Sequence, residues 1–256
     1  MASSRRTGTN EDISTYGVSR DYSALATWEA DTDIDCVTGT TSPVLEIYDD
    51  SASFNDYCLL SGATTSSSYF RIVRPASGQG HDGTPNNGVY FLSTADATIF
   101  RIDEGYSQVQ DVIGKINCNS TTNRTTFVIG VANAAFVGVI AWDSVNSGSG
   151  LSYGFVNVNA TGNGFFINCL SSGCEDGGFR CGAGSGYFYN CTSVGQNYGF
   201  WRYGGTAYAK NCCSSGNTND WSGTWSQTTC TAEDATPVYE NAGGDDYHLG
   251  SSDTVC

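Results

Sequence analysis

The sequence predicts an all-β solenoid, a parallel β-helix whose coils each contain about 22 residues. A short phrase, Asn-Cys-x-Ser-x-Gly, begins at Asn168, Asn190 and Asn211, so its copies recur at the nearly constant interval of such a coil. Apolar and polar residues alternate before the phrase, as is typical of strands, and Gly-Phe pairs form a second recurring column. Helical solenoids need a 3.6-residue period and leucine-rich repeats need a leucine lattice, and residues 98–230 have neither.

Stacked coils give the phrase a physical explanation, because equivalent residues of neighbouring coils lie about 4.8 Å apart. Amide side chains at that spacing can hydrogen-bond along a column, and the column is expected to contain Asn117, Asn168, Asn190 and Asn211. Asn117 opens a partial copy, Asn-Cys-Asn-Ser, and a weaker copy starts at Ala141. The following cysteines are expected to point into a narrow core: Cys118, Cys169, Cys191 and Cys212.

The N-terminal part has a different pattern, which predicts a cap for the solenoid. Tyr22, Leu25 and Trp28 recur every three residues and indicate a short amphipathic α-helix, with Asp21 or Ser23 as its N-cap. A solenoid needs such a cap to cover its exposed core and strand edge. We expect one domain over residues 20–256, with four segments: an N-terminal arm (1–20), the cap helix and first strands (21–97), regular coils (98–230) and a C-terminal closing segment (231–256).

Charge and hydropathy argue against two classes of partner. The chain has 26 Asp and Glu against 11 Lys and Arg, a net charge of −15, whereas nucleic acids and anionic membranes are bound through basic residues. No apolar run approaches the length that a membrane-spanning helix needs. Arg5 and Arg6 are followed by no apolar segment, so we expect no signal peptide and synthesis in a cytoplasm.

The eleven cysteines are interpreted mainly as buried thiols. An odd number without an export signal argues against a disulfide framework, although one or two late bridges stay open. The chain has no Cys-x-x-Cys pair, and His81 and His248 are distant from the cysteine-rich stretch, which argues against zinc. Asp-rich loops lack the spacing of calcium sites. We therefore predict no metal and no cofactor.

Four segments carry a resemblance to a known family. They are Asp21-Tyr-Ser-Ala-Leu-Ala-Thr-Trp-Glu29, Tyr48-Asp-Asp50, Tyr69-Phe-Arg-Ile72 and His81-Asp-Gly-Thr-Pro85, followed by coils with Asn-Cys phrases. Together they resemble right-handed parallel β-helix proteins of phage and prophage genomes, over roughly residues 20 to 250. The resemblance implies a virion surface component, a tail spike or a capsid decoration, that is commonly a trimer. It supplies no catalytic residue.

A sugar-cleaving enzyme is the main alternative, because many β-helices bind sugars along a lateral groove. A glycosidase needs two carboxylates across the scissile bond, and the candidates are Asp143, Glu175 and Asp176. For a lyase, Arg180 could abstract a proton or hold a substrate acid, and Arg202 could stack beside it. No carboxylate column recurs, and stacked arginines are also typical of a solvated face. The sequence therefore favours no catalytic residue.

Aromatic residues crowd the last coils, and those that point outward indicate binding. The candidates are Tyr187, Tyr189, Tyr198, Trp201, Tyr203 and Tyr208. Such residues form carbohydrate-stacking strips or protein interfaces. The resemblance favours an interface with a sister subunit.

We therefore expect a non-catalytic virion surface protein of a tailed phage, a homotrimer that binds the shell or adheres to host glycans. A chain of 256 residues leaves little room beyond cap and coils, which favours capsid decoration over a full tail spike. A polysaccharide depolymerase of tail-spike type is the alternative. A host-encoded adhesin is a third interpretation, which the missing signal peptide disfavours.

Overall fold

A computed structural model describes residues 7–85, 87–159 and 161–231, and the backbone of residues 239–241 and 246–249. Strands account for 45% of the structure and helices for 5%, and the main sheets are parallel. These values confirm the prediction of an all-β fold.

Three parallel sheets contain nearly all of the strands. Sheet I consists of β1 (Glu11–Tyr16), β2 (Ser42–Ile47), β4 (Ile72–Pro75), β7 (Gln108–Gln110), β10 (Ala135–Val137), β14 (Asn163–Ile167), β17 (Ser185–Tyr189), β20 (Thr206–Lys210) and β23 (Ser226–Thr228), in that order. Sheet II consists of β5 (Tyr90–Ser93), β8 (Ile113–Cys118), β11 (Ile140–Trp142), β15 (Leu170–Ser172), β18 (Thr192–Val194) and β21 (Cys213–Ser215), and β12 (Val145–Asn146) also pairs with β8. Sheet III consists of β3 (Cys58–Leu60), β6 (Phe100–Ile102), β9 (Arg124–Ile129), β13 (Ser152–Asn157), β16 (Gly177–Cys181), β19 (Tyr198–Arg202) and β22 (Asn219–Ser222). A separate antiparallel pair, β24 (Tyr239–Asn241) and β25 (Asp246–Leu249), falls in the predicted closing segment.

From β4 onward the chain passes through sheets I, II and III in turn, and we call one such circuit a coil. Each strand pairs with its counterpart in the next coil, so that Phe166 lies beside Phe188 and Phe179 beside Phe200. These pairs have the predicted spacing, which therefore holds in the last coils. Earlier coils are longer. Phe127 and Phe155 also pair in neighbouring strands, but more residues separate them along the chain than separate the later pairs.

Two of the predicted segment boundaries do not match the strands. Residues 11–16, assigned to an N-terminal arm, form the first strand of sheet I and pair with β2. Across the predicted boundary at residues 97 and 98, β4 and β5 pair directly with β7 and β8. The coils therefore begin close to the N-terminus, in segments whose sequences do not repeat.

The interior is organised by stacked aromatic rings. One column from sheet III consists of Phe100, Phe127, Phe155, Phe179, Phe200 and Trp221, with ring centroids 4.4–6.5 Å apart and planes within 20° of each other. A second column, from sheet I, consists of Phe136, Phe166 and Phe188. The two columns meet edge to face, and Trp225 packs against the last ring of each, Phe188 and Trp221. Such contacts add to the hydrophobic contribution of burial.

Glycine and serine fill the narrow space beside the phenylalanines. Gly178 and Gly199, each preceding a column phenylalanine, lie against Ser193 and Ser214, the serines of the repeated phrase. A Cβ atom at either glycine would collide with the serine hydroxyl. The glycine of each Gly-Phe pair therefore packs against the serine of the repeated phrase, and both positions need a small residue.

The predicted cap helix is α1 (Leu25–Asp31), in which Leu25 and Trp28 are fully buried. The predicted N-cap is wrong, because Ala24 occupies that position and makes no side-chain capping bond. The Leu25 N–H donates instead to the Asp56 carboxylate at 2.7 Å. The Asp21 carboxylate accepts hydrogen bonds from the backbone N–H and the hydroxyl of Thr15.

A second, short helix, α2 (Cys36–Gly39), was not predicted. Asp35 caps it by accepting hydrogen bonds from the backbone N–H groups of Val37 and Thr38. Within the described residues, neither helix has the length and hydrophobicity needed to cross a membrane.

A buried arginine joins helix α1 to the coils. Arg71 has no exposed surface, and its Nε donates to Glu104 at 2.7 Å. Its two terminal nitrogens donate to the carbonyl oxygens of Glu29 and Ser61 at 2.9 and 2.8 Å, and Glu29 also forms an ion pair with it. Removing one partner from such a network leaves buried charge uncompensated.

Replacing Phe179 with Ala should lower the free energy of unfolding by about 3–5 kcal/mol, because the change leaves a cavity between two stacked rings. Urea denaturation measures the loss. Leu59→Ala is the matched control, since that side chain is 45% exposed and its loss should cost about 0.5 kcal/mol or less. Equal losses for the two variants would contradict the stacked interior.

Arg71→Ala should lower the free energy of unfolding by about 3–5 kcal/mol, because Glu104 would stay buried without its cation. The control is Arg101→Ala, which breaks the exposed ion pair with Asp103 and should cost about 1 kcal/mol or less. Thermal and urea unfolding followed by tryptophan fluorescence compare the two. A small loss for the Arg71 variant would show that the helix is held by apolar packing alone.

Candidate functional site

The corner between sheets I and II has the same backbone conformation in successive coils. Positive φ angles of 51–65° occur at Asp111, Gly138, Asn168, Asn190 and Asn211. Asparagine, aspartate and glycine adopt this left-handed conformation most readily, which explains the residue types found there. The asparagine amides also bond to each other, from Asn190 to Asn168 at 2.9 Å and from Asn211 to Asn190 at 3.2 Å.

Asn117 does not belong to this column, and its predicted place there is wrong. Both Asn117 and Cys118 lie in β8, where they pair with Val145 and Asn146. The corner positions of the two earlier coils are occupied by Asp111 and Gly138. Ala141 also lies outside the column, because it pairs with Ser171.

Cys169, Cys191 and Cys212 follow the corner asparagines and are buried. The Cys191 and Cys212 sulfurs each lie 3.3 Å from the carbonyl oxygen of a column phenylalanine in the preceding coil. Burial raises the pKa of the Cys191 thiol, which therefore stays protonated at neutral pH. These thiols act as small core groups. The ten cysteines of the described residues form no disulfide, and Cys256 lies outside the described residues.

The three candidate catalytic carboxylates each bond to the preceding coil. Asp143 forms an ion pair with Lys115. Glu175 accepts a hydrogen bond from the Asn146 N–H at 3.1 Å, and Asp176 accepts one from the Ser152 N–H at 2.6 Å. Partial burial, together with the nearby charge of Glu175, raises the pKa of Asp176. The geometry therefore gives these carboxylates a role in joining coils.

The two candidate arginines do not stack. Arg180 pairs with Trp201, whereas Arg202 pairs with the buried Cys181. This offset of one residue places the two side chains on opposite faces of sheet III. Arg202 donates to the carbonyl oxygen of Gly205 at 2.8 Å.

Five of the six candidate aromatic residues lie on two different sheets, and the sixth, Tyr203, directly follows β19 of sheet III. Three of them form part of a group that we call the sheet I ladder: Phe165, Tyr187, Tyr189 and Tyr208. Tyr187 stacks on Tyr208 with centroids 4.7 Å apart and planes 10° apart, and on Phe165 at 5.2 Å and 21°. All four rings are half-buried and point away from the core. Phe165 was missed, although its alternation with the buried Phe166 indicates its direction.

The other three surround an arginine in a group that we call the arginine cluster: Tyr153, Arg180, Tyr198, Trp201 and Tyr203. The guanidinium carbon of Arg180 lies 5.0 Å from the Trp201 ring centroid and 4.6 Å from that of Tyr203. Tyr198 stacks on Trp201 at 4.9 Å, and Tyr203 meets Trp201 edge to face at 5.5 Å. Nothing in the repeated phrase indicated Tyr153.

Tyr153 forms the base of the arginine cluster because its neighbour in the next coil is a glycine. It pairs with Gly177, and a Cβ atom there would lie 3.1 Å from the tyrosine ring. The ring is therefore free to lie against the sheet, 5.2 Å from the Arg180 guanidinium carbon and 5.9 Å from Trp201.

Among the described residues, no group of three or more His, Cys, Asp or Glu side chains is arranged to hold a metal ion. Comparisons with models of known protein families, with curated proteins and with solved structures found no match. The two aromatic surfaces are therefore the main basis for assigning a function.

Replacing Asn190 with Ala or with Gly separates the two roles of the corner asparagine. Both variants lose the amide bonds, but only alanine is strained at positive φ. Since glycine also gains freedom in the unfolded chain, we expect Asn190→Ala to be about 0.5–1 kcal/mol less stable than Asn190→Gly. Urea denaturation provides the comparison. An alanine variant at least as stable as the glycine variant would contradict the left-handed corner.

Proposed function

We propose that this chain is a right-handed parallel β-helix that serves as a non-catalytic surface protein of a tailed-phage particle. In this proposal it decorates the capsid as a homotrimer and contacts the shell protein and host glycans. The passage of the chain through three parallel sheets in turn supports the β-helix. The right hand is supported by the twist of L-amino-acid strands, which makes nearly all parallel crossovers right-handed.

The sheet I ladder is the observation that carries the proposed role in assembly. Its stacked rings stand on neighbouring strands of one regular sheet and remain half-exposed. Tyrosine is enriched at protein interfaces, where a rigid ring contributes a large contact area at low entropic cost. A flat aromatic face of this kind suits lateral contact with a second copy of the chain.

The state of the candidate carboxylates supports a structural role over catalysis. Glu175 and Asp176 accept backbone hydrogen bonds, and Asp143 is paired with a lysine. A catalytic pair would instead be directed at a scissile bond between the two groups.

The phage assignment is supported by the resemblance of the N-terminal segments. Two residues of those segments, Glu29 and Arg71, meet in the buried network that holds the helix on the coils. The net charge of −15 also suits a particle exterior that has to stay soluble.

Cryo-electron microscopy of particles purified from cultures that produce the chain tests the proposal. We expect trimeric density on the capsid shell. Absence of the chain from purified particles, or density at the tail tip alone, would contradict capsid decoration.

Substitution of the ladder tests its role in assembly. The double variant Tyr187→Ser and Tyr208→Ser should be monomeric by mass photometry, whereas wild type should be trimeric. Leu59→Ser, on the exposed face of sheet III, is the control and should stay trimeric. A monomeric wild type, or a trimeric double variant, would refute the proposed interface.

The raised pKa of Asp176 beside Glu175 is the one observation that favours a depolymerase, since general acids commonly have such values. Incubation with purified capsular polysaccharides, followed by assays for new reducing ends and unsaturated sugars, decides the point. Cleavage by wild type that is lost in Glu175→Gln and Asp176→Asn would replace the proposed function with this one.

A further inference from the structure

We propose that the arginine cluster binds a carboxylate-bearing sugar of an anionic glycan. The inference rests on the part of the proposed function that assigns glycan contact to this protein. It goes further by naming the site and the class of sugar.

Arg180 differs from the other arginines of the described residues because it makes no hydrogen bond and no ion pair there. Its Nε is buried and has no partner. The others are paired as follows: Arg20 with Asp50, Arg71 with Glu29 and Glu104, Arg74 with Glu11 and Glu46, Arg101 with Asp103, Arg124 with Asp96, and Arg202 with the Gly205 carbonyl. In a chain with 26 acidic residues, an arginine without a carboxylate is well placed to receive one from a ligand.

The guanidinium of Arg180 is held by rings. Tyr153, Trp201 and Tyr203 lie 5.2, 5.0 and 4.6 Å from its carbon atom. Cation–π contacts hold the charge but leave the N–H groups without acceptors. Because the side chain is already ordered, a ligand does not bear the entropic cost of fixing it.

The geometry favours a ligand that combines a carboxylate with a ring. Arginine binds carboxylates through two parallel hydrogen bonds, and aromatic faces stack on sugar rings. Tyr203 offers such a face, since it is 67% exposed and stands at 81° to Trp201. The Arg180 guanidinium lies against both rings, so a sugar that stacks on the exposed part of Tyr203 has a cation beside it for a carboxylate on its ring. A carboxylate on a partner protein would use the arginine but leave the Tyr203 face without a role.

Isothermal titration calorimetry on the full chain tests the site. The probes are oligogalacturonate, an alginate oligosaccharide and sialyllactose, each compared with its carboxyl-reduced counterpart. We expect wild type to bind at least one acidic probe and its reduced form roughly 10- to 100-fold more weakly, because a charge-assisted pair is lost.

Arg180→Gln should lose the same roughly 10- to 100-fold in affinity, and Tyr203→Ser should weaken binding through loss of stacking. Arg101→Gln is the matched control, because its arginine lies on the same outward face of sheet III and is paired with Asp103. Thermal unfolding checks that each variant folds. The exposed Tyr203 provides a second test if Arg180→Gln does not fold.

Several results would overturn the inference. They are failure of wild type to bind any acidic probe, equal binding of acidic and reduced probes, and unchanged binding by Arg180→Gln and Tyr203→Ser. Loss of particle attachment by Arg180→Gln, without any glycan binding by wild type, would assign the arginine to a protein carboxylate instead. Trimers on the capsid together with no glycan binding would refute this inference and leave the decoration role intact. Glycan binding by a chain that is absent from particles would support this inference and refute the decoration role.

Discussion

The structure depends on like side chains lying above one another in successive coils. The ring centroids of Phe155 and Phe179 lie 4.8 Å apart, and those of Phe179 and Phe200 lie 4.9 Å apart. This is the spacing of neighbouring strands, so each ring packs directly against the ring of the next coil. A shift of one residue would turn every ring outward. The glycines beside the rings and the serines opposite them follow from the same requirement, because only small groups fit there.

The interior fixes the register of the strands, whereas the residues on the outer faces of the sheets differ from sheet to sheet. Sheet I carries a ladder of stacked rings, and sheet III carries an arginine among rings. Most of these outward side chains stand on strands that the core holds in register. Carboxylates such as Glu175 and Asp176 contribute to that order by bonding to the backbone of the preceding coil. The same scaffold thus presents two different aromatic surfaces on different sheets.

The part of the fold that could be predicted from the sequence is the part in which the same residues repeat. The three full copies of the phrase indicated the spacing and the asparagines that share a corner, Asn168, Asn190 and Asn211. The corner could not be predicted where different residues adopt the same backbone conformation. Asp111 and Gly138 have the positive φ of the corner asparagines, whereas Asn117 lies in a strand although its local sequence resembles the repeated phrase.

Contacts between distant segments were also invisible in the sequence. Asp56 caps helix α1 from a distant loop, and no local pattern indicates it. The pairing of Arg180 with Trp201 rather than Arg202 depends on a register of one residue, which spacing from the phrase does not fix.

A crystal structure of the full chain tests the central claim of in-register stacking most directly. We predict right-handed coils with Phe179 directly between Phe155 and Phe200. Strands paired antiparallel, or displaced by one residue in sheet III, would contradict it.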